Sequence, residues 1–392
     1  MSALAWISVA SLTAWGWLLL GQGFFWRTDQ RLPRRQTPDQ WPDVAIVVPA
    51  RDEAEVLPVS LPSLLAQDYP GRAEIVLVDD GSTDGTGELA RALAEHHGGL
   101  PLRVVSPGEP EPGWTGKLWA LRHGITLARA QGREPEYLLL TDADIAHRPE
   151  SLRELVAAAR TNGLDLVSLM ARLRVATGWE RLVVPAFVYF FSQLYPFRRV
   201  NRPGARTAAA AGGCVLLRTD AAERAGVPAS IRQAVIDDVS LARAVQNSGG
   251  RIWLGLADEV DSVRAYPKLA HLWRMVSRSA YAQLLHSPLL LAGTVVGLAL
   301  VYLVPPVALC VGVLTRDAVA AWAGGLAWAV MTGTYLPMLR YYRQPPALAA
   351  LLPFTALLYL LMTVDSAVLH HRGRGAAWKG RTYVRPEAAP DR

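Results

Sequence analysis

Apolar positions are spread unevenly along the 392 residues. Residues 1–26 carry no charged side chain, and a run of that length can cross the roughly 30 Å hydrocarbon core of a bilayer. Beyond His286 three more apolar blocks, near 289–314, 318–339 and 347–369, are separated by Thr-Arg-Asp and by Arg-Tyr-Tyr-Arg-Gln-Pro-Pro. They predict about three further spans over 287–370. Between the two ends the period changes. Short β-branched runs, VAIVV, EIVLV, LRVV and YLLL, alternate with helical periodicity starting near Val56, Thr86, Leu118 and Pro149. That alternation predicts an α/β domain over 42–285, with a mainly parallel sheet, helices on both faces and ligands beyond the carboxyl ends of the strands.

Charge sets the orientation of the ends. Arg27, Arg31, Arg34 and Arg35 follow the first apolar run, so it reads as a retained anchor with its trailing side in the cytoplasm, not as a signal peptide. The 371–392 tail is basic and is expected on the same side. One crossing plus three would leave it on the other side, so one block, near Pro305 and Pro306, is expected to be re-entrant or to lie flat. The formal net charge of +6 fits attraction to anionic lipid headgroups, and no nucleic-acid motif accompanies it. Two cysteines, Cys214 and Cys310, do not make a disulfide framework.

The candidate chemistry falls at strand ends: PARDEAE after the first, DDGSTDGT after the second, TDAD after the fourth. Acidic groups converging on one crevice imply a cation or a hydrogen-bonding ligand. If Asp142 and Asp144 lie on an extended segment they share a face and could hold one Mg²⁺ or Mn²⁺. Equally, Asp142 could end a strand and Asp144 cap the next helix. Asp79 could accept hydrogen bonds from a base or ribose. The glycines and hydroxyls that follow it would also suit an ordinary turn. Lys117, in GWTGKL, could meet a phosphate, although that stretch lacks the first glycine and the final Ser/Thr of a P-loop. Residues 183–197 are too short to span and too aromatic to face water. They are expected either in the membrane interface, beside a lipid, or in the core.

Taken in order, PARDEAE, VDDGSTDGT, TGK, TDAD, AGGCVLLR and IDDVSLA resemble the inverting glycosyltransferases of family 2. The resemblance covers about 42–285. It implies a GT-A fold, a Rossmann-like nucleotide-diphospho-sugar transferase domain, joined here to transmembrane helices. With the apolar blocks, the chain further resembles the hopanoid-associated branch, the hopene-associated glycosyltransferases, related to ceramide glucosyltransferases.

Carried over residue by residue, the resemblance implies that Asp79, with Asp52 and Glu53, holds the nucleotide. Asp142 and Asp144 hold a Mg²⁺ or Mn²⁺ that bridges the donor diphosphate, with Lys117 near the phosphates. Asp238, second carboxylate of a pair standing where the family usually has Glu-Asp, is the expected base, and Gly213 and Cys214 line the acceptor pocket. A helix cap is the plainer use of Asp237 or Asp238. Where many membrane relatives carry Q-x-x-R-W, this chain has RMVSRSAYAQ, so Arg278 is present without the tryptophan. That departure implies a single sugar transfer, with Arg278 facing the diphosphate or lying at the membrane surface. The expected activity is transfer of one sugar from a nucleotide-sugar, a UDP-sugar by this reading, to a membrane lipid of hopanoid type, at the cytoplasmic face of a bacterial inner membrane. The alternatives are transfer to a polyprenyl phosphate and a non-catalytic nucleotide-sugar-binding membrane protein.

Overall fold

The computed structural model describes residues 1–130 and 134–372, and the backbone of 377–378 and 381–382. Most of the basic tail lies outside the described residues. The chain divides into two compact units, one of Met1–Asp29, Val175–Arg199 and Tyr266–Ala376, the other of Gln30–Arg174, Val200–Ala265 and the tail. This division differs from the 42–285 boundary, since 175–199 and 266–285 group with the apolar helices.

The second unit is built on an eight-stranded sheet. Its strands are β1 (Val44–Ala50), β2 (Ala73–Asp79), β3 (Leu102–Val105), β4 (Tyr137–Thr141), β5 (Ile145–His147), β6 (Leu166–Arg172), β7 (Cys214–Arg218) and β8 (Ile252–Ser262), in the order β3-β2-β1-β4-β7-β6-β8-β5. The half from β3 to β4 is parallel, as the alternating sequence predicts. Beyond it the sheet is mixed: β7 runs antiparallel to both β4 and β6, and β5 antiparallel to β8, while β6 and β8 pair in parallel. No helix joins β4 to β5, and the hydrophobic runs carry no signal of direction. Val44–Ala50 is buried throughout, as a central strand covered on both faces must be. Ile46, Leu77 and Leu139, none of them exposed, anchor the core, each contributing about 1.5–3 kcal/mol by burial. The Gly116–Arg129 helix approaches this sheet through Gly124, where a Cβ would stand 2.5 Å from Val47 Cγ1. That close contact fixes the helix whose first turn carries Lys117.

In the first unit, three helices are long and apolar enough to cross a membrane: Ala3–Leu20, Pro288–Thr315 and Pro346–His371. The Ala318–Tyr341 helix is long but less apolar, since the face it buries begins with Ala320, Ala323, Gly324 and Ala327. Pro305 and Pro306 make no re-entrant break. They follow a π-helical turn at Ala299–Leu303 inside one continuous apolar helix. With no N–H on either proline, the carbonyls of Leu300 and Val301 lose partners along the helix. Ser11 Oγ at 2.7 Å and Trp15 Nε1 at 2.7 Å supply them from the Ala3–Leu20 helix, as carbonyls in an apolar setting require. The 183–197 segment belongs mostly to the Gly178–Leu194 helix. Its Val183, Val184 and Tyr189 are fully buried, and Tyr189 packs on Tyr335 and bonds Thr334 at 2.8 Å. These three residues are buried among the apolar helices of the first unit and not in the core of the α/β domain.

Candidate active site

The carboxyl ends of β1, β2 and β4 carry the acidic residues that the strand-end rule predicts. After β1, Asp52 adopts a left-handed conformation (φ 49°) that few residues other than glycine and Asn/Asp accept. Its amide donates to Ser82 Oγ at 3.0 Å, and its Oδ1 accepts from Thr83 N at 2.8 Å. Asp52 therefore ties the β1 loop to the β2 loop. Asp79 Oδ1 caps Ser82 N at 3.0 Å, while its Oδ2 faces Gly87. Glu53 is buried, with its amide on Thr86 Oγ1 at 2.9 Å and its carboxylate on Arg264 at 2.5 Å.

Asp142 and Asp144 do not lie on an extended segment. β4 ends at Thr141, and a turn closed by Ile145 N on Asp142 O at 3.1 Å leads straight into β5. The two carboxylates consequently meet different cations. Asp142 Oδ1 is 2.8 Å from Lys117 Nζ, whereas Asp144 Oδ2 accepts from Arg264 Nε at 2.9 Å and Ser262 Oγ at 3.2 Å. Asp144 caps no helix, since Glu150 is the cap residue of Ser151–Asn162.

Lys117 also reaches Asp237 Oδ2 at 3.0 Å. Burial alone would lower its pKa, but Asp142 and Asp237 outweigh that and raise it. Beside it Asp238 opens the Asp237–Asn247 helix without serving as its cap, a position held by Ile236. Its Oδ2 accepts from Gly212 N at 3.0 Å and its Oδ1 from Val239 N at 2.8 Å. Burial first, then the neighbouring Asp237, push its pKa up to about 7, against Lys117 and the two amides, which lower it. Burial and Asp144 likewise raise Asp142, against Lys117. Pro49, Lys117, Leu140, Asp142, Gly212 and Asp238 all line one small pocket.

Of the expected residues, Lys117, Asp142 and Asp238 therefore meet at this pocket, and Glu53 joins Asp144 through Arg264. Gly213 follows the lining residue Gly212 but does not itself line the pocket, and a Cβ there would stand 3.1 Å from Ile145 Cδ1. Cys214 corrects the expectation: its side chain is fully buried in the core, its thiol pushed up to about 12 by burial, so it lines nothing. Alternation along β7 turns it inward. Arg278 lies in the other unit, exposed at the end of the Leu269–Ser277 helix. Arg264, Gly212 and Asp237 were missed as site residues. For Arg264 no motif exists, because its place depends on where β8 ends.

Within this linked set, Glu53, Asp142, Asp144, Asp237 and Asp238 share two basic side chains, Lys117 and Arg264. Asp142 Oδ2 and Asp144 Oδ1 accept no hydrogen bond among the described residues. Among the described residues no group of three or more His, Cys, Asp or Glu is placed to hold a metal ion. An acidic excess with two such carboxylate oxygens fits a hard divalent cation that takes its remaining ligands from water and phosphate.

A parallel β-α half sheet with acidic strand ends beside a small pocket, followed by a reversed strand, is an architecture of the GT-A type. The sequence model described as "Glycosyl transferase family 2" matches residues 45–226. Residues 45–226 thus match a family 2 glycosyltransferase domain, and the fold is of the GT-A type. It is 32% identical over 144 residues to the undecaprenyl-phosphate 4-deoxy-4-formamido-L-arabinose transferase of Pseudomonas aeruginosa, covering 35% of this chain and 38% of that protein. The protein of the same name from Aeromonas hydrophila is 30% identical over 137 residues, 33% of this chain and 37% of that one. The chain thus spans less than two fifths of the curated relatives it matches. In three dimensions it resembles the mannosyltransferase PcManGT from Pyrobaculum calidifontis in complex with GDP-Man and Mn²⁺, with a TM-score of 0.55 and 21% identity. That match covers 94% of this chain and 99% of the other.

Proposed function

We propose that this chain transfers one sugar, with inversion, from a nucleotide-sugar to the hydroxyl of a membrane lipid. The observation that carries the reading is Asp238. Its carboxylate has its pKa pushed up to about 7, is steadied by two backbone N–H groups and lies beside the Lys117 that reaches Asp142. A base whose pKa matches neutral pH is suited to take a hydroxyl proton as the oxygen attacks. Asp79, Asp52 and Glu53 bind the nucleotide in this reading, and Lys117 and Arg264 offer charge to the diphosphate. Asp142 and Asp144 would hold a Mg²⁺ or Mn²⁺, which would supply positive charge against the departing diphosphate. Gly212, through its amide on Asp238, keeps the base facing the pocket. The three apolar helices and the arginines after residue 26 support a membrane protein with its catalytic unit on the cytoplasmic side. A hopanoid-type acceptor and a UDP-sugar donor rest on the sequence resemblance.

A second reading, transfer to a polyprenyl phosphate, is favoured by the names of the Pseudomonas and Aeromonas relatives. Such an acceptor is already an anion, so the base matters less. Mass spectrometry of total lipids from cells carrying the wild-type chain or Asp238→Asn tests both. Loss of a glycolipid in the mutant, with its aglycone accumulating, supports the hydroxyl acceptor. A sugar-linked polyprenyl phosphate that survives the substitution supports the second reading. Lipids that do not change with either chain refute transfer altogether and leave a nucleotide-sugar-binding protein.

A further inference from the structure

From Thr141, which lines the pocket, a buried hydrogen-bond chain joins strand ends on which the proposed chemistry depends. Thr141 Oγ1 donates to the Gly213 carbonyl at 2.8 Å and lies 2.9 Å from His147 Nε2, while His147 Nδ1 lies 2.9 Å from Ser151 Oγ. Thr141, His147 and Ser151 are all less than 5% exposed. A carbonyl only accepts, so the single hydroxyl hydrogen of Thr141 must go to Gly213. Thr141 Oγ1 must then accept from a protonated Nε2, and Nδ1, left with a lone pair, must accept from Ser151. Only the neutral Nε2–H form of His147 satisfies every atom. Burial also lowers this histidine's pKa to about 4, so the ring is neutral at working pH.

Ser168 Oγ pins the amide and carbonyl of Ala211, and this hydrogen-bond chain holds the segment two residues further on. The β4–β7 ladder ends at the Thr141–Cys214 pair. Beyond it come Gly212 and Gly213, which have no side chains to be held by packing and so must be pinned through their backbone. Gly212 N docks on Asp238 Oδ2, and Gly213 O docks on Thr141.

We propose that His147 is a positioning residue for the transfer, acting through Thr141 to hold the Gly212–Gly213 segment against Asp238. This rests on the proposed reaction, and the test separates the two. In full-length chain labelled with ¹⁵N-histidine in lipid nanodiscs, with His147→Gln assigning the signal, His147 is expected as the neutral Nε2–H tautomer across the neutral pH range. An Nδ1–H tautomer, or protonation near neutrality, overturns the arrangement.

In transfer assays with the donor and acceptor that the lipid analysis identifies, Thr141→Val should lower kcat about tenfold with the donor KM within about twofold. Thr141→Ser, which keeps the hydroxyl, should recover most of that loss. A Thr141→Val enzyme as fast as wild type, or a Thr141→Ser enzyme as slow as the valine variant, overturns the proposal. Should Thr141→Val fail to fold, Ser151→Ala probes the far end. It should lower kcat about threefold and release a second tautomer, and an unchanged spectrum with unchanged kcat overturns the proposal equally. If the wild-type chain transfers no sugar, the functional reading falls and this inference with it. An active wild type with indifferent variants sinks this inference alone.

Discussion

Lys117→Met isolates one electrostatic relation. Lys117 Nζ stands 3.4 Å, and Asp238 Oδ2 3.6 Å, from the point where a Cβ on Gly212 would sit, so the two charges are at most about 7 Å apart. At an effective dielectric constant of about 20, that separation is worth about 2 kcal/mol, or between one and two pK units. Lys117 lowers the pKa of Asp238, which is nonetheless about 7. With the ammonium gone and Asp237 no longer neutralised, it should rise to between about 8 and 9. The sign for activity follows from the base's role. Only ionised Asp238 accepts a proton, so the wild-type rate should fall as pH drops through about 7, and the variant's should begin to fall at higher pH. The assay is kcat/KM for sugar transfer against pH, which reports the free enzyme, at one fixed concentration of Mn²⁺. The position of the acid limb is independent of how much activity the substitution costs overall. An acid limb that stays in place or moves to lower pH would refute the reasoning and remove Asp238 as the base.

Two further outcomes follow from local geometry. In Gly87→Ala the new Cβ would lie 2.7 Å from Asp79 Oδ2, on a carboxylate whose Oδ1 already accepts from Ser82 N. The helix should gain up to about 1 kcal/mol in propensity while calorimetric affinity for UDP falls several-fold, and unchanged affinity would detach Asp79 from the nucleotide. Glu180 is fully buried and accepts from the amides of Ala176, Thr177 and Tyr266 at 2.9, 2.8 and 2.6 Å. Burial raises its pKa, but these bonds prevail and lower it. Its stabilisation is therefore present above the unfolded carboxylate's pKa near 4.5 and is lost as pH falls through the lower folded value. Glu180→Gln should cost about 2–4 kcal/mol at pH 7, with the gap to wild type closing in acid. Melting curves that stay parallel down to pH 4 would contradict this.

The sequence made the first half of the domain legible because each strand there is a continuous apolar run punctuated by turn chemistry, and each is followed by a helix. Val44–Ala50, Ala73–Asp79 and Tyr137–Thr141 lie where the pattern puts them. It also gave the acidic residues their places at strand ends. Their partners were not legible. The spacing of Asp142 and Asp144 suggested a shared face, but a turn separates them, because the chain must leave β4 for β5 at the opposite edge of the sheet. Arg264 lies 120 residues beyond Asp144 in the chain and meets it only because β8 delivers it there. Cys214 shows the converse, a residue inside an informative motif whose side chain serves the core.

The reversal of β7 explains why the site forms at all. In a wholly parallel sheet the chain entering a strand lies at the opposite end from the chain leaving its neighbour. Because β7 runs antiparallel to β4, its entrance, Gly212–Gly213, lies beside the exit of β4, Thr141–Asp142. One exit carries a carboxylate paired with Lys117, and the adjacent entrance carries the amide that holds Asp238. A metal-side carboxylate and the proposed base are thereby brought together by strand direction, while Lys117, between Asp142 and Asp237, couples their charges. Two consecutive glycines at the entrance are the consequence. A Cβ at Gly212 would stand 3.4 Å from Lys117 Nζ, and one at Gly213 3.1 Å from Ile145 Cδ1. The first is an ordinary van der Waals contact and the second a tight one, so a larger residue at Gly213 would crowd the place where the two strand ends meet.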